Sequence, residues 1–91
     1  MGSGPIYYIM ARLVRDRDGE GYSGSRVEAR DEHGKVVGHE PMVGHSFLVG
    51  TITPAFPGDY WHATPITEIL SETEEEIRFV TKNASVYTFY K

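Results

Sequence analysis

The side chains of this chain that could do chemistry are few and scattered. Its four histidines, His33, His39, His45 and His62, show neither the i, i+2 spacing of ligands on one strand nor the i, i+4 spacing of ligands on one helix. A metal would need three of them to converge from separate loops, with Asp59 or a glutamate as helper. The simpler reading is surface and turn histidines, so no metal or cofactor is expected. Ser46 beside His45, or Ser85 with His62 and Asp59, can be drawn as a hydrolytic triad. Such sets can be drawn in almost any chain, and no nucleophile-elbow glycine pattern supports these. No catalytic residue is assigned, and a non-enzymatic protein is expected. The acidic run Glu72, Glu74, Glu75 and Glu76 could bind a cation or mimic nucleic-acid charge. A solvated hairpin tip explains it equally well.

Two clusters suit binding better than catalysis. Residues 54–62 hold the single Trp, two of the five prolines and two further aromatics. Within them, Tyr60 and Trp61 could stack a planar ligand, with Arg78 and Lys82 near enough in sequence pattern to neutralise phosphate. The alternative is that Trp61 and Phe56 cap the end of a small core, and an aromatic at the mouth of a barrel can do both. Arg12, Arg15 and Arg17 gather at one strand end, and Arg26 and Arg30 share one face of a strand at even spacing. With interleaved tyrosines they could face phosphates or a single strand. Asp16, Asp18, Glu28 and Asp31 cancel much of that field, which favours exposed strands of mixed charge.

These residues must be held by strands. Residues 6–14 are β-branched and aromatic and predict a first strand. A charged, glycine-bearing turn over 15–21 follows, then a weaker strand over 22–30. Residues 31–34 give a type I turn closed by Gly34, and 35–39 return as a short strand. This hairpin is expected at a sheet edge or projecting from it. Residues 45–53 are the most apolar stretch, pointing apolar side chains both ways, which predicts a central strand or one covered by a second sheet or a partner chain. Gly50 within it predicts a bulge or a close backbone approach. Further strands are expected at 60–64, at 65–71 with Pro65 leading, at 77–82 by strict alternation, and at 86–90. The fold class is all-β: a single antiparallel meander of seven or eight strands, as a partly open barrel or a two-layer sandwich. No internal repeat or low-complexity segment is present.

Length and composition bound the rest. Ninety-one residues make one domain over 6–91, with residues 1–5 reading as a disordered leader or a cloning remnant. A chain of this size buries only roughly 60–65% of its unfolded surface, so its stability is marginal and partners would help. It has no cysteine, which removes disulfides and zinc-thiolate sites together and fits a reducing cytoplasm. No apolar run is long enough to span a membrane, and the N-terminus lacks a signal-peptide pattern. Net charge is −4, with six basic against seven acidic residues in 1–45 and three against six in 46–91. Duplex nucleic acid is therefore disfavoured as a partner.

The segment 60–69, with Trp61, Thr64, Pro65, Thr67, Glu68 and Ile69, leads to Phe79, Thr81, Asn83 and Tyr87. In this pattern the chain resembles a set of small bacteriophage and prophage β-proteins over residues 44–90, though Ala84 stands between Asn83 and Ser85 and could shift the last strand by one residue. By analogy the resemblance extends to phage Thoeris anti-defence sponges, non-enzymatic β-rich oligomers that sequester cyclic-ADP-ribose-type and cyclic oligonucleotide signals. It implies a homo-oligomer in the host cytoplasm, with a pocket from Trp61, Arg78 and Asn83 completed by a neighbouring subunit. Trp61 or Tyr60 would stack a base or ribose, Arg78 and Arg12 would meet phosphates, and Asn83 would hydrogen-bond a base edge. Two other classes stay open. One is a protein–protein inhibitor of a host defence complex, of the anti-CRISPR kind, acting through the acidic hairpin and the Trp loop. The other is a small structural phage protein without a ligand.

Overall fold

A computed structural model describes residues 11–51 and 60–91. These form nine strands: β1 Ala11–Arg15, β2 Gly21–Gly24, β3 Arg26–Arg30, β4 Val36–Gly38, β5 Ser46–Gly50, β6 Tyr60–Ala63, β7 Ile66–Glu72, β8 Glu76–Thr81 and β9 Val86–Tyr90. They build two antiparallel sheets, β2-β1-β9-β8-β7 and β4-β3-β5-β6, which pack as a sandwich and are not closed into a barrel. Among the described residues no helix occurs, and none long and apolar enough to cross a membrane. The all-β expectation is met, and the two-layer alternative is the one adopted.

The extra strand comes from a break inside 22–30. The chain pairs β2 with β1, steps over Ser25, and then pairs β3 with β5 in the other sheet. Gly24 makes that step possible. A Cβ at Gly24 would fall 1.9 Å from the Gly50 carbonyl oxygen, a separation no side chain can occupy. This is the close backbone approach that a glycine within an apolar strand implies. Residues 31–34 turn as their sequence predicts: Gly34 takes φ +78°, and the Asp31 carboxylate accepts from the His33 and Lys35 N–H groups. The short β4 that follows is an edge strand of the smaller sheet, which places residues 36–38 in the sheet and not on a free arm.

Between the sheets Phe47 meets Phe89 and Phe79 edge-on, at centroid distances of 4.9 and 6.0 Å, and Phe79 stacks on Tyr87 at 5.6 Å. Leu13, Val49, Ile66 and Ile77 complete the buried layer. Each such side chain removed from water stabilises by about 1.5–3 kcal/mol. β5 is central, between β3 and β6. Phe47 and Val49 face the other sheet, whereas Leu48 faces outward between Glu28 and His62 and is still only 3% exposed. The second apolar face of this strand is thus covered within the chain, and it supplies no argument for a partner subunit.

The residue inserted at Ala84 is absorbed by the turn. Ala84 adopts φ 66°, its N–H donates to the Thr81 carbonyl, and the β8–β9 register then runs without a shift from Val80↔Val86 to Glu76↔Tyr90. The exposed edge strand β7 carries two register irregularities and the acids Glu68 and Glu72, devices that discourage edge-to-edge pairing.

Candidate binding site

Alternation along β3 puts Arg26, Glu28 and Arg30 on the outer face of the smaller sheet. The β5 register sets Gly50, Leu48 and Ser46 beside them, and the β6 register sets Tyr60 and His62 beyond. The result is an open hollow of about 480 Å³ lined by Arg26, Arg30, Leu48, Tyr60 and His62. Leu48 is its floor, the two arginines form one wall, and the two aromatic rings form the other. Tyr60 is 54% exposed, so its ring is open to solvent at the hollow.

The arginine wall is pre-formed. Arg30 donates to Glu28 Oε1 through Nε at 3.0 Å and Nη2 at 2.5 Å, and Arg26 donates to the same oxygen through Nη2 at 3.3 Å. Burial works to raise the Glu28 pKa, but the hydrogen bonds from Arg30 and Arg26 outweigh it and hold the carboxyl below its ordinary value. Opposite, His62 is held below its ordinary value of 6.5, first by partial desolvation and then by the charge of Arg30. At neutral pH its ring is therefore uncharged and can stack or accept a hydrogen bond. The Ser46 hydroxyl donates to the Arg30 carbonyl at 3.4 Å, fixing it to the β3 backbone.

The residues expected to share one pocket are only partly brought together. Trp61 faces inward: its indole N–H donates to the Tyr87 hydroxyl at 3.1 Å, and the Arg15 guanidinium lies 5.0 Å over its ring. Arg78 sits on the outer face of the larger sheet, with Nε and Nη2 both 2.8 Å from Asp16 Oδ2, while Thr88 donates to Oδ1 of the same carboxylate. Arg12 is on that face too, 5.5 Å over the Tyr90 ring. Asn83 is bound into the β8–β9 turn, its Oδ1 accepting from Thr81 at 2.5 Å and Thr64 at 3.2 Å. Arg78 and Asn83 do line one open hollow of about 340 Å³, with Asp16, Arg17 and Ser85. Trp61 faces the core and does not join them, because alternate residues of a strand face opposite ways. Of the expected set, only Tyr60 lines the hollow on the smaller sheet.

Arg26 and Arg30 carried a visible signal, their i, i+4 spacing on one strand face. Reading Glu28 as a charge that cancels them hid the pairing, since the acid also orients both guanidiniums. Leu48 and His62 could be placed only by the β3–β5–β6 register. Asp59, and with it the Ser85–His62–Asp59 triad, lies outside the described residues, as do Pro54 and Phe56. Among the described residues no three His, Asp or Glu side chains group as a metal site. The acidic tip of β7–β8 is a solvated turn in which the Thr73 hydroxyl accepts from the Glu75 and Glu76 N–H groups.

No family model, no curated protein and no solved structure matches this chain. The likeness to bacteriophage β-proteins therefore rests on its sequence pattern alone.

Proposed function

We propose that this protein is a non-enzymatic binding protein for a nucleotide-type anion, held on the outer face of the smaller sheet. The observation that carries this reading is the facing of Arg26 and Arg30 against Tyr60 and His62 across the Leu48 floor. β3 and β6 are two strand spacings apart, about 10 Å. A nucleotide spans that distance with its phosphate on the guanidinium forks and its base over the rings. The bacteriophage resemblance supplies the biological sense: sequestration of a nucleotide-derived defence signal, cyclic-ADP-ribose-like or a cyclic oligonucleotide, in the host cytoplasm. A second copy of the chain could close the hollow from above, which would make the working form a homo-oligomer.

Thermal melting against a panel of mono-, di- and cyclic nucleotides tests this. A ligand at a hundred times its dissociation constant adds about 2.7 kcal/mol. At ~4–8 °C per kcal/mol for so small a domain, the midpoint should rise on the order of 10–20 °C. The shift should vanish in Arg30→Ala and Tyr60→Ala and persist in Arg78→Ala. A flat panel sinks the reading and turns the search to protein partners of the acidic hairpin.

A further inference from the structure

Resting on that reading of the hollow, the charge balance within it leads one step further. Arg26 and Arg30 bring two fixed positive charges to one strand face, and Glu28 stands between them with one negative charge. All three guanidinium N–H groups that reach Glu28 end on one oxygen, Oε1. A guanidinium has five N–H donors, so most of those on Arg26 and Arg30 have no partner among the described residues. These two pairs are among the less exposed on the protein, so solvent screens them incompletely. The wall therefore keeps one net positive charge, in a chain whose total is −4.

We propose that Glu28 sets the charge limit of the hollow, admitting an anionic group with a single negative charge and rejecting one that carries two. A phosphodiester has one negative charge and neutralises the excess of the arginine pair. A terminal phosphomonoester carries about −1.5 to −2 at neutral pH. Its second charge would lie beside the Glu28 carboxylate with no cation left to meet it. Glu28 is thus a specificity residue as well as the group that holds both guanidinium forks in place. A carboxylate on the arginine pair discriminates by repulsion, which is how selectivity is gained without new attractive contacts.

Isothermal titration of the full chain with adenosine 3′,5′-cyclic monophosphate and adenosine 5′-monophosphate decides the matter. The two probes share base and ribose and differ in phosphate charge and in closure of the phosphate onto O3′. At neutral pH the wild-type chain should favour the cyclic diester by about tenfold, between the bulk-water and surface-pair strengths of one charge repulsion. Glu28→Gln keeps an acceptor oxygen and removes the charge, so it should tighten the monophosphate and erase the preference. Arg30→Gln should weaken both. Equal wild-type affinities, a preference for the monophosphate, or a preference unchanged in Glu28→Gln would overturn this inference and leave the hollow as a nucleotide site. Binding of neither probe would overturn both. Should the glutamine variant not fold, the methyl ester of adenosine 5′-monophosphate, open-chain but singly charged, takes its place: wild type should bind it like the cyclic diester, and binding no tighter than the monophosphate would overturn the inference.

Discussion

The indole N–H of Trp61 in β6 donates to the phenolic oxygen of Tyr87 in β9 at 3.1 Å, so one hydrogen bond ties the two sheets at the end of the core. The Arg15 guanidinium lies over the same indole at 5.0 Å and is itself held by Asp18. The only tryptophan is therefore spent on joining the sheets. Tyr87→Phe should cost about 1 kcal/mol, the usual consequence of leaving one indole N–H without its partner. Trp61→Ala should cost about 3 kcal/mol, the lower end for a core tryptophan because the ring is half-buried. Urea denaturation followed by circular dichroism measures both. Neither substitution should change nucleotide affinity in proportion to Tyr60→Ala. If Trp61→Ala stays as stable as wild type but loses binding, the ring is a ligand wall after all.

Asp18 gives the acid limb of stability a specific origin. The Arg15 hydrogen bond is the largest cause of its pKa being lowered from 3.8 to about 2; burial opposes it, and the Glu20 N–H and the charges of Arg15 and Arg17 add to it. The folded value is the depressed one, so the unfolded chain binds the proton more readily. The stabilisation is present in full above about pH 4 and is lost as pH falls toward about 2. Asp18→Asn should flatten the stability profile across that window and leave the slope near neutrality unchanged. His62 acts in the same direction higher up, since its folded pKa is also depressed: stability should fall as pH drops below 6.5. His62→Gln should remove that shallow slope. Denaturation midpoints measured from pH 8 to pH 2 separate the two contributions.

Strands whose pattern strictly alternates were legible in the sequence, because a buried face every second residue leaves a period that nothing else produces. The alternation over 77–82 corresponds to β8, the β-branched and aromatic run over 86–90 to β9, and the Asp31–Gly34 turn chemistry fixes the β3–β4 hairpin. The break at Ser25 was not legible. Residues 22–30 are β-prone throughout, and only the contact of Gly24 with Gly50, distant in sequence, reveals that the chain changes sheets. The site failed for a related reason. Tyr60 and Trp61 adjoin in sequence and look like one aromatic cluster, yet neighbours on a strand face opposite ways. One went to the hollow and the other to the core.

That sheet change leaves no room for a side chain at Gly24, as the β1–β2 pairing leaves none at Gly21. A Cβ added at Gly24 would meet backbone, the Gly50 oxygen at 1.9 Å and carbon at 2.5 Å, so no side-chain rotation can relieve it. Gly24→Ala would have to separate β2 from β5 and open the corner where the two sheets join. The expected cost is above about 4 kcal/mol, the range kept for named and severe mechanisms, and it should leave a chain this small largely unfolded. Gly19→Ala is the control. It meets nothing within 4 Å, and its φ of +73° charges it only the local backbone strain. If circular dichroism shows Gly24→Ala folded and melting near wild type, the β2–β3 corner is not built as described.

Ala84 offers the opposite test, a position where removing a side chain should help. It is the only described residue other than glycine with positive φ, at 66°, and it stands where hairpin turns favour glycine. A left-handed alanine costs about 1–2 kcal/mol relative to its preferred region. Glycine recovers that strain and gives back part of it through the greater freedom of the unfolded chain, about 0.4–1 kcal/mol. Ala84 is exposed, so little packing is lost with its methyl group. Ala84→Gly should therefore stabilise by about 0.5–1 kcal/mol, which for a domain of this size raises the melting midpoint by roughly 2–8 °C. The β8–β9 register depends on this turn holding the extra residue in its tip. A lowered midpoint would mean that the residue is instead accommodated along the strand, and that Val86 to Tyr90 pair with β8 one position away from the register described.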